Sequence, residues 1–78
     1  MEIYEILKAG MARGDAFSDL YEQMRTMAKA GIPAHDVMTA LECLRAEAVD
    51  EGEEDRILDL MDIATGYCSE PMRLWPID

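Results

Sequence analysis

Four acids in the second half of the chain, Glu51, Asp55, Asp59 and Asp62, recur at spacings of four, four and three residues. At about 100° per residue this spacing lines them along one side of a helix, roughly opposite its apolar stripe, provided helical geometry extends back to residue 51. Like charges at i,i+4 oppose helix formation, and no lysine interrupts the row. Carboxylates so arranged could hold a metal, work as an acid–base pair, or receive a cationic partner. A calcium loop needs oxygen ligands at positions 1, 3 and 5, glycine at 6 and glutamate at 12. Counted from Asp50, the glycine (Gly52) falls at position 3 and position 12 is Met61, so the pattern fails. Paired carboxylates carry no information in a chain with 17 acids, where pairs arise anywhere. What remains is an electrostatic surface, serving either solubility or a basic partner. Glu47, Asp50 and Glu54 extend it, and Glu47, Asp50, Glu51, Glu54, Asp55, Asp59 and Asp62 are the candidate partner-binding acids.

The nucleophiles and imidazole offer less. His35, the single histidine, lies at a helix start in Pro33-Ala34-His35-Asp36, and Cys43 follows two turns later without stacking on it. Cys43 shares its side of the helical wheel with Asp36, Glu47 and Asp50, and nearby carboxylates raise a thiol's pKa and weaken it at neutral pH. Cys43 and Cys68 lie 25 residues apart with no CxxC or zinc-finger spacing, so two free thiols are expected and no metal or other cofactor. Arg13-Gly14-Asp15 spells an adhesion tripeptide but reads locally as a turn followed by a helix cap. No catalytic residues are assigned, and an enzyme is not expected.

The last segment carries the other candidate. Met72, Leu74 and Trp75 lie between Pro71 and Pro76. Either they fold back as a lid or Trp75 projects as an anchor for a partner, a role in which tryptophan is over-represented. Trp75 joins the partner-binding candidates, and Tyr67 is expected to be partly buried.

Four helices must position these groups. The first is expected over about 2–12, with Ile3, Leu7 and Met11 at four-residue spacing, Ile6 on the flank, and Gly10 and Gly14 fraying its end. Asp15 is expected to cap a second helix, about 16–30, striped by Phe17, Leu20, Tyr21, Met24, Met27 and Ala28. Gly31 ends it and Pro33 opens a third, about 33–50, with Val37, Leu41, Leu44 and Ala48 inward. A break at Glu51-Gly52 precedes a fourth, about 53–65, whose first acids suit the helix dipole and whose inward side is Ile57, Leu60, Met61 and Ala64. Gly66 closes it, and residues 67–78 form a non-helical tail. No segment alternates with the period of a strand. Short linkers favour antiparallel neighbours, so the expected architecture is an all-α bundle of four helices, one domain over 1–66, with an extended tail. A weak internal echo pairs Lys8-Ala9-Gly10-Met11 with Lys29-Ala30-Gly31-Ile32.

The 78 residues carry a formal charge of −10, and half of them are hydrophobic. A chain this size buries only about 60% of its unfolded surface, so its core must be well filled. The charge is local: residues 36–62 carry ten acids and two bases, while the flanking segments are each at −1. Such a segment repels phosphate backbones and anionic membranes, so neither direct nucleic-acid binding nor a membrane role is expected. No apolar run suits a membrane span or signal peptide, so a cytoplasmic location is expected. The Met-rich stripe could also serve as a homodimer interface. In size, helix count and acidity the chain resembles small immunity proteins that neutralise nuclease toxins; the likeness lies in those properties and not in a motif. It implies an inhibitor that sets an acidic surface against a basic protein. The alternative is a regulatory or adaptor module that binds a partner helix or subunit through an apolar surface and Trp75.

Overall fold

A computed structural model describes residues 2–66 and 70–75. They form four helices, α1 (Ile3–Ala12), α2 (Phe17–Lys29), α3 (Ala34–Glu47) and α4 (Glu51–Thr65), followed by a single 3-10 turn, Glu70–Met72. Among the described residues there is no strand, as the all-α reading expects.

Two helix ends are built alike. Gly14 and Gly31 adopt φ of 75° and 87°, a left-handed conformation that costs glycine nothing. After α1, the Gly14 N–H donates to Met11 O and the Asp15 N–H to Gly10 O, both at 3.0 Å. After α2, the Gly31 and Ile32 N–H groups donate to Ala28 O and Met27 O, both at 3.1 Å. These are Schellman closures, which satisfy the last carbonyls of each helix.

The structure corrects several sequence expectations. Gly10 does not fray α1; it is buried in the helix interior, and a Cβ there would lie 2.8 Å from Leu20 Cδ2. Its missing side chain lets α2 approach. Asp15 is not the cap of α2. The N-cap is Ala16, with no side-chain hydrogen bond, because the Asp15 carboxylate is held by Arg13 Nη2 at 2.8 Å and by Gln23 Nε2 at 3.3 Å. The break between α3 and α4 is Ala48–Asp50 rather than Glu51-Gly52, so α3 ends three residues early and α4 starts two residues early. Ala48 leaves the helix at ψ 133°, and Asp50, extended, accepts the Glu53 N–H on Oδ1 at 2.8 Å. That cap nucleates α4 with Gly52 inside its first turn. The Lys8 and Lys29 echo has no structural counterpart, since Gly10 is mid-helix and Gly31 is a helix stop.

Leu7, Leu20, Met24, Met27, Val37, Leu41, Ile57 and Leu60 are nearly inaccessible, and Met11, Leu44, Ile63 and Ala64 complete the core. Ile63 was not on the expected inward side of α4, and Ala48 and Met61 are half-buried. The helix pairing departs from sequence order. α1 packs on α2 and α3, and α4 packs on α3 and α2, while α2 and α3 are not among the main pairs despite their short connection. Gly31 and the extended Pro33 turn the chain so that α3 crosses to α1.

The tail returns over this assembly. The Tyr21 hydroxyl donates to Met72 O at 2.9 Å, and Trp75 Nε1 donates to Ile32 O at 2.9 Å. Met72, Leu74 and Trp75 pack partly buried against the core. Pro71 sits in the 3-10 turn rather than in extended chain. Tyr67, Cys68 and Pro76 lie outside the described residues.

Candidate protein-docking surface

The Asp50 cap sets the phase of α4, and from Glu51 onward the helix is continuous. The geometric condition on the acid row is therefore met: Glu51, Asp55, Asp59 and Asp62 are all exposed. Their carboxylates make no ion pair or side-chain hydrogen bond among the described residues.

The other three candidate acids are engaged within the fold. Glu47 accepts a hydrogen bond from the Tyr4 hydroxyl, which links α3 to α1. This bond pushes the Tyr4 phenol above its ordinary pKa. Tyr4 in turn supports Lys8, whose Nζ lies 5.3 Å from the ring centroid and whose pKa is also raised. Asp50 caps α4, and Glu54 Oε2 meets Arg45 Nε at 3.4 Å across the α3–α4 corner. The seven acids thus divide into three that bond within the fold and four whose carboxylates make no such contact among the described residues.

The helix dipole accounts for Glu51, which sits in the first turn beside Glu53 and Glu54. Asp62 lies near the other end of the helix, where the last turn has no basic residue. Negative charge there is unfavourable, so the dipole does not account for Asp62, and Asp59, in mid-helix, lies outside its reach.

Val49 adds a feature that the sequence reading missed. It is 85% exposed and is the one large hydrophobic exposed among the described residues. It sits in the α3–α4 turn and borders a shallow depression with Arg45, Ala48, Asp50, Glu51 and Glu54. Expected to lie within a longer third helix, it gave no sign of exposure. Only the correct position of the break, signalled by the Asp50-x-x-Glu53 capping pattern, would have placed it in a turn.

The remaining candidates lie elsewhere. Trp75 is docked through its N–H and is half-buried. His35 and Cys43 border one shallow depression between α1 and α3 with Glu2, Tyr4 and Asp36. Cys43 is exposed and unbridged. No His, Cys, Asp and Glu cluster among the described residues could hold a metal ion. No helix there is long and apolar enough to cross a membrane. No family model, curated protein or solved structure matches this chain.

Proposed function

We propose that this chain is a small protein-binding protein of the inhibitor or immunity type, which receives a basic protein on the corner and outer face of α4. One observation carries the reading. Val49, the one large hydrophobic exposed among the described residues, stands at the head of a row of four exposed carboxylates that make no ion pair among those residues. An apolar contact beside charge of one sign suits a cationic partner that also buries an apolar side chain, with the charges steering encounter. A protein whose own ligand is nucleic acid has such a basic face, and the acid row would compete for it.

The test uses the immobilised protein and a triple variant, Asp55→Lys, Asp59→Lys and Asp62→Lys, with source-cell extract eluted by stepwise salt. A basic protein retained by the parent, released at moderate salt and lost by the variant supports the proposal, given unchanged helical circular dichroism. Equal capture by both proteins sinks it. A partner that stays bound through high salt favours the apolar adaptor reading instead.

A further inference from the structure

The protein has seven lysines and arginines, of which five have a partner within the fold, Arg25 only a loose one to Glu22 at 3.6 Å. Arg13 pairs with Asp15, Arg45 with Glu54, Arg56 Nη1 donates to Asp15 O at 3.3 Å, and Lys8 rests over Tyr4. Arg25, Lys29 and Arg73 line a single pocket floored by Ala28 and Leu74. Arg25 and Lys29 are i,i+4 neighbours on α2. Arg73 is brought beside them by the returning tail, held on either side through Met72 O and the Trp75 N–H. Sequence distance hides this convergence, and the total charge of −10 disguises it further.

The arrangement is unfavourable by itself. Three like charges line one pocket, and among the described residues the one acid paired there is Glu22, 3.6 Å from Arg25 with both side chains half or more exposed. Arg73 Nε is sealed from solvent with no acceptor among the described residues. A buried, unpaired charged donor carries a desolvation cost. The dipole of α2 welcomes cations near its end. That accounts for Lys29, in the last turn, but not for Arg25 or Arg73, and Ala30, Gly31 and Ile32 already cover the last carbonyls of that helix.

We propose that this pocket binds a phosphate-type oxyanion, as carried by a small phosphorylated molecule. Guanidinium groups match tetrahedral oxyanions with paired N–H donors, and an ammonium adds a third charge. At physiological salt a Debye length of about 8 Å limits how far the acid row's repulsion reaches. The site is separate from the α4 surface and does not depend on its proposed role.

The probe is inorganic pyrophosphate, titrated into the labelled protein at constant ionic strength and followed by amide and arginine Nε NMR shifts. The expected result is saturable binding, with shifts centred on residues 25–29 and 72–75. Lys29→Gln and Arg73→Gln each weaken it about tenfold or more, given that a hydrogen bond to a charged group contributes about 1.5–3 kcal/mol. Arg13→Gln leaves it unchanged. Shifts that never saturate, or that citrate reproduces equally, overturn the assignment. So does unaltered affinity in Lys29→Gln, an exposed change that decides the matter should Arg73→Gln fail to fold.

Discussion

Replacing Gly10 with alanine sets two effects of known sign against each other. In the interior of a helix, alanine is favoured over glycine by about 1 kcal/mol, so an open site would be stabilised. At Gly10 the new methyl would stand 2.8 Å from Leu20 Cδ2, 3.1 Å from Asp15 Oδ2 and 3.2 Å from Gln23 Oε1. Leu20 is 0% exposed, so its methyl has no free volume to enter, and the carboxylate is fixed by Arg13. Forcing extra volume into such a contact costs about 1–3 kcal/mol. The net expectation is a loss of about 1 kcal/mol, which in a domain of this size lowers Tm by about 4–8 °C. Urea denaturation followed by circular dichroism measures it. A double-mutant cycle with Leu20→Val, which removes the δ carbons, isolates the cause: in that background Gly10→Ala is expected to become neutral or stabilising. If Gly10→Ala alone stabilises the protein by about 1 kcal/mol, α1 and α2 do not meet at Gly10 and the account of their packing is refuted.

Other perturbations test the remaining joints. Trp75→Phe keeps an aromatic ring but loses the hydrogen bond to Ile32 O, and is expected to cost about 1 kcal/mol in the same urea assay; an unchanged midpoint would mean that the indole N–H is not used. Asp50→Ala removes the α4 cap and is expected to cost about 1 kcal/mol, with Asp50→Asn close to the parent. The Arg13 guanidinium hydrogen-bonds Asp15 and holds its pKa below the usual carboxylate value, against an opposing contribution from burial. A lowered folded pKa contributes stability above the unfolded value of about 3.9 and loses it as pH falls through the folded value. Stability curves of the parent and Arg13→Gln, measured from acid to neutral pH, are therefore expected to separate above about pH 4 and converge in acid.

The apolar stripes made the four helices legible, because Leu7, Leu20, Met24, Val37, Leu41, Ile57 and Leu60 repeat with helical period and nothing competes with that pattern. Gly31 and Gly66 were readable as stops for a local reason, the left-handed backbone that glycine tolerates. Gly10 was misread because the same residue serves equally as a punctuation mark or a contact, and only the position of Leu20 decides between them. Asp15 was misread because a carboxylate beside an arginine has two uses, and the ion pair won. On the candidate surface, the row on α4 followed from spacing alone. The engagement of Glu47 with Tyr4 and of Glu54 with Arg45, the exposure of Val49, and the meeting of Arg73 with Arg25 and Lys29 all depend on how the helices cross. No local pattern encodes that crossing.

The order of helix pairing has a consequence for how the chain can form. Because α2 finds its main partners in α1 and α4, and α3 finds its own in α1 and α4, the two central helices offer one another little native cover before α4 is in place. A nascent chain that has released α3 but not α4 has α1 as its one shared support, with apolar sides of α2 and α3 still open to water. Closure waits for α4, and the Trp75 contact to Ile32 then seals the turn between the two helices that waited longest. Loop closure over such separations slows folding relative to a hairpin-by-hairpin bundle.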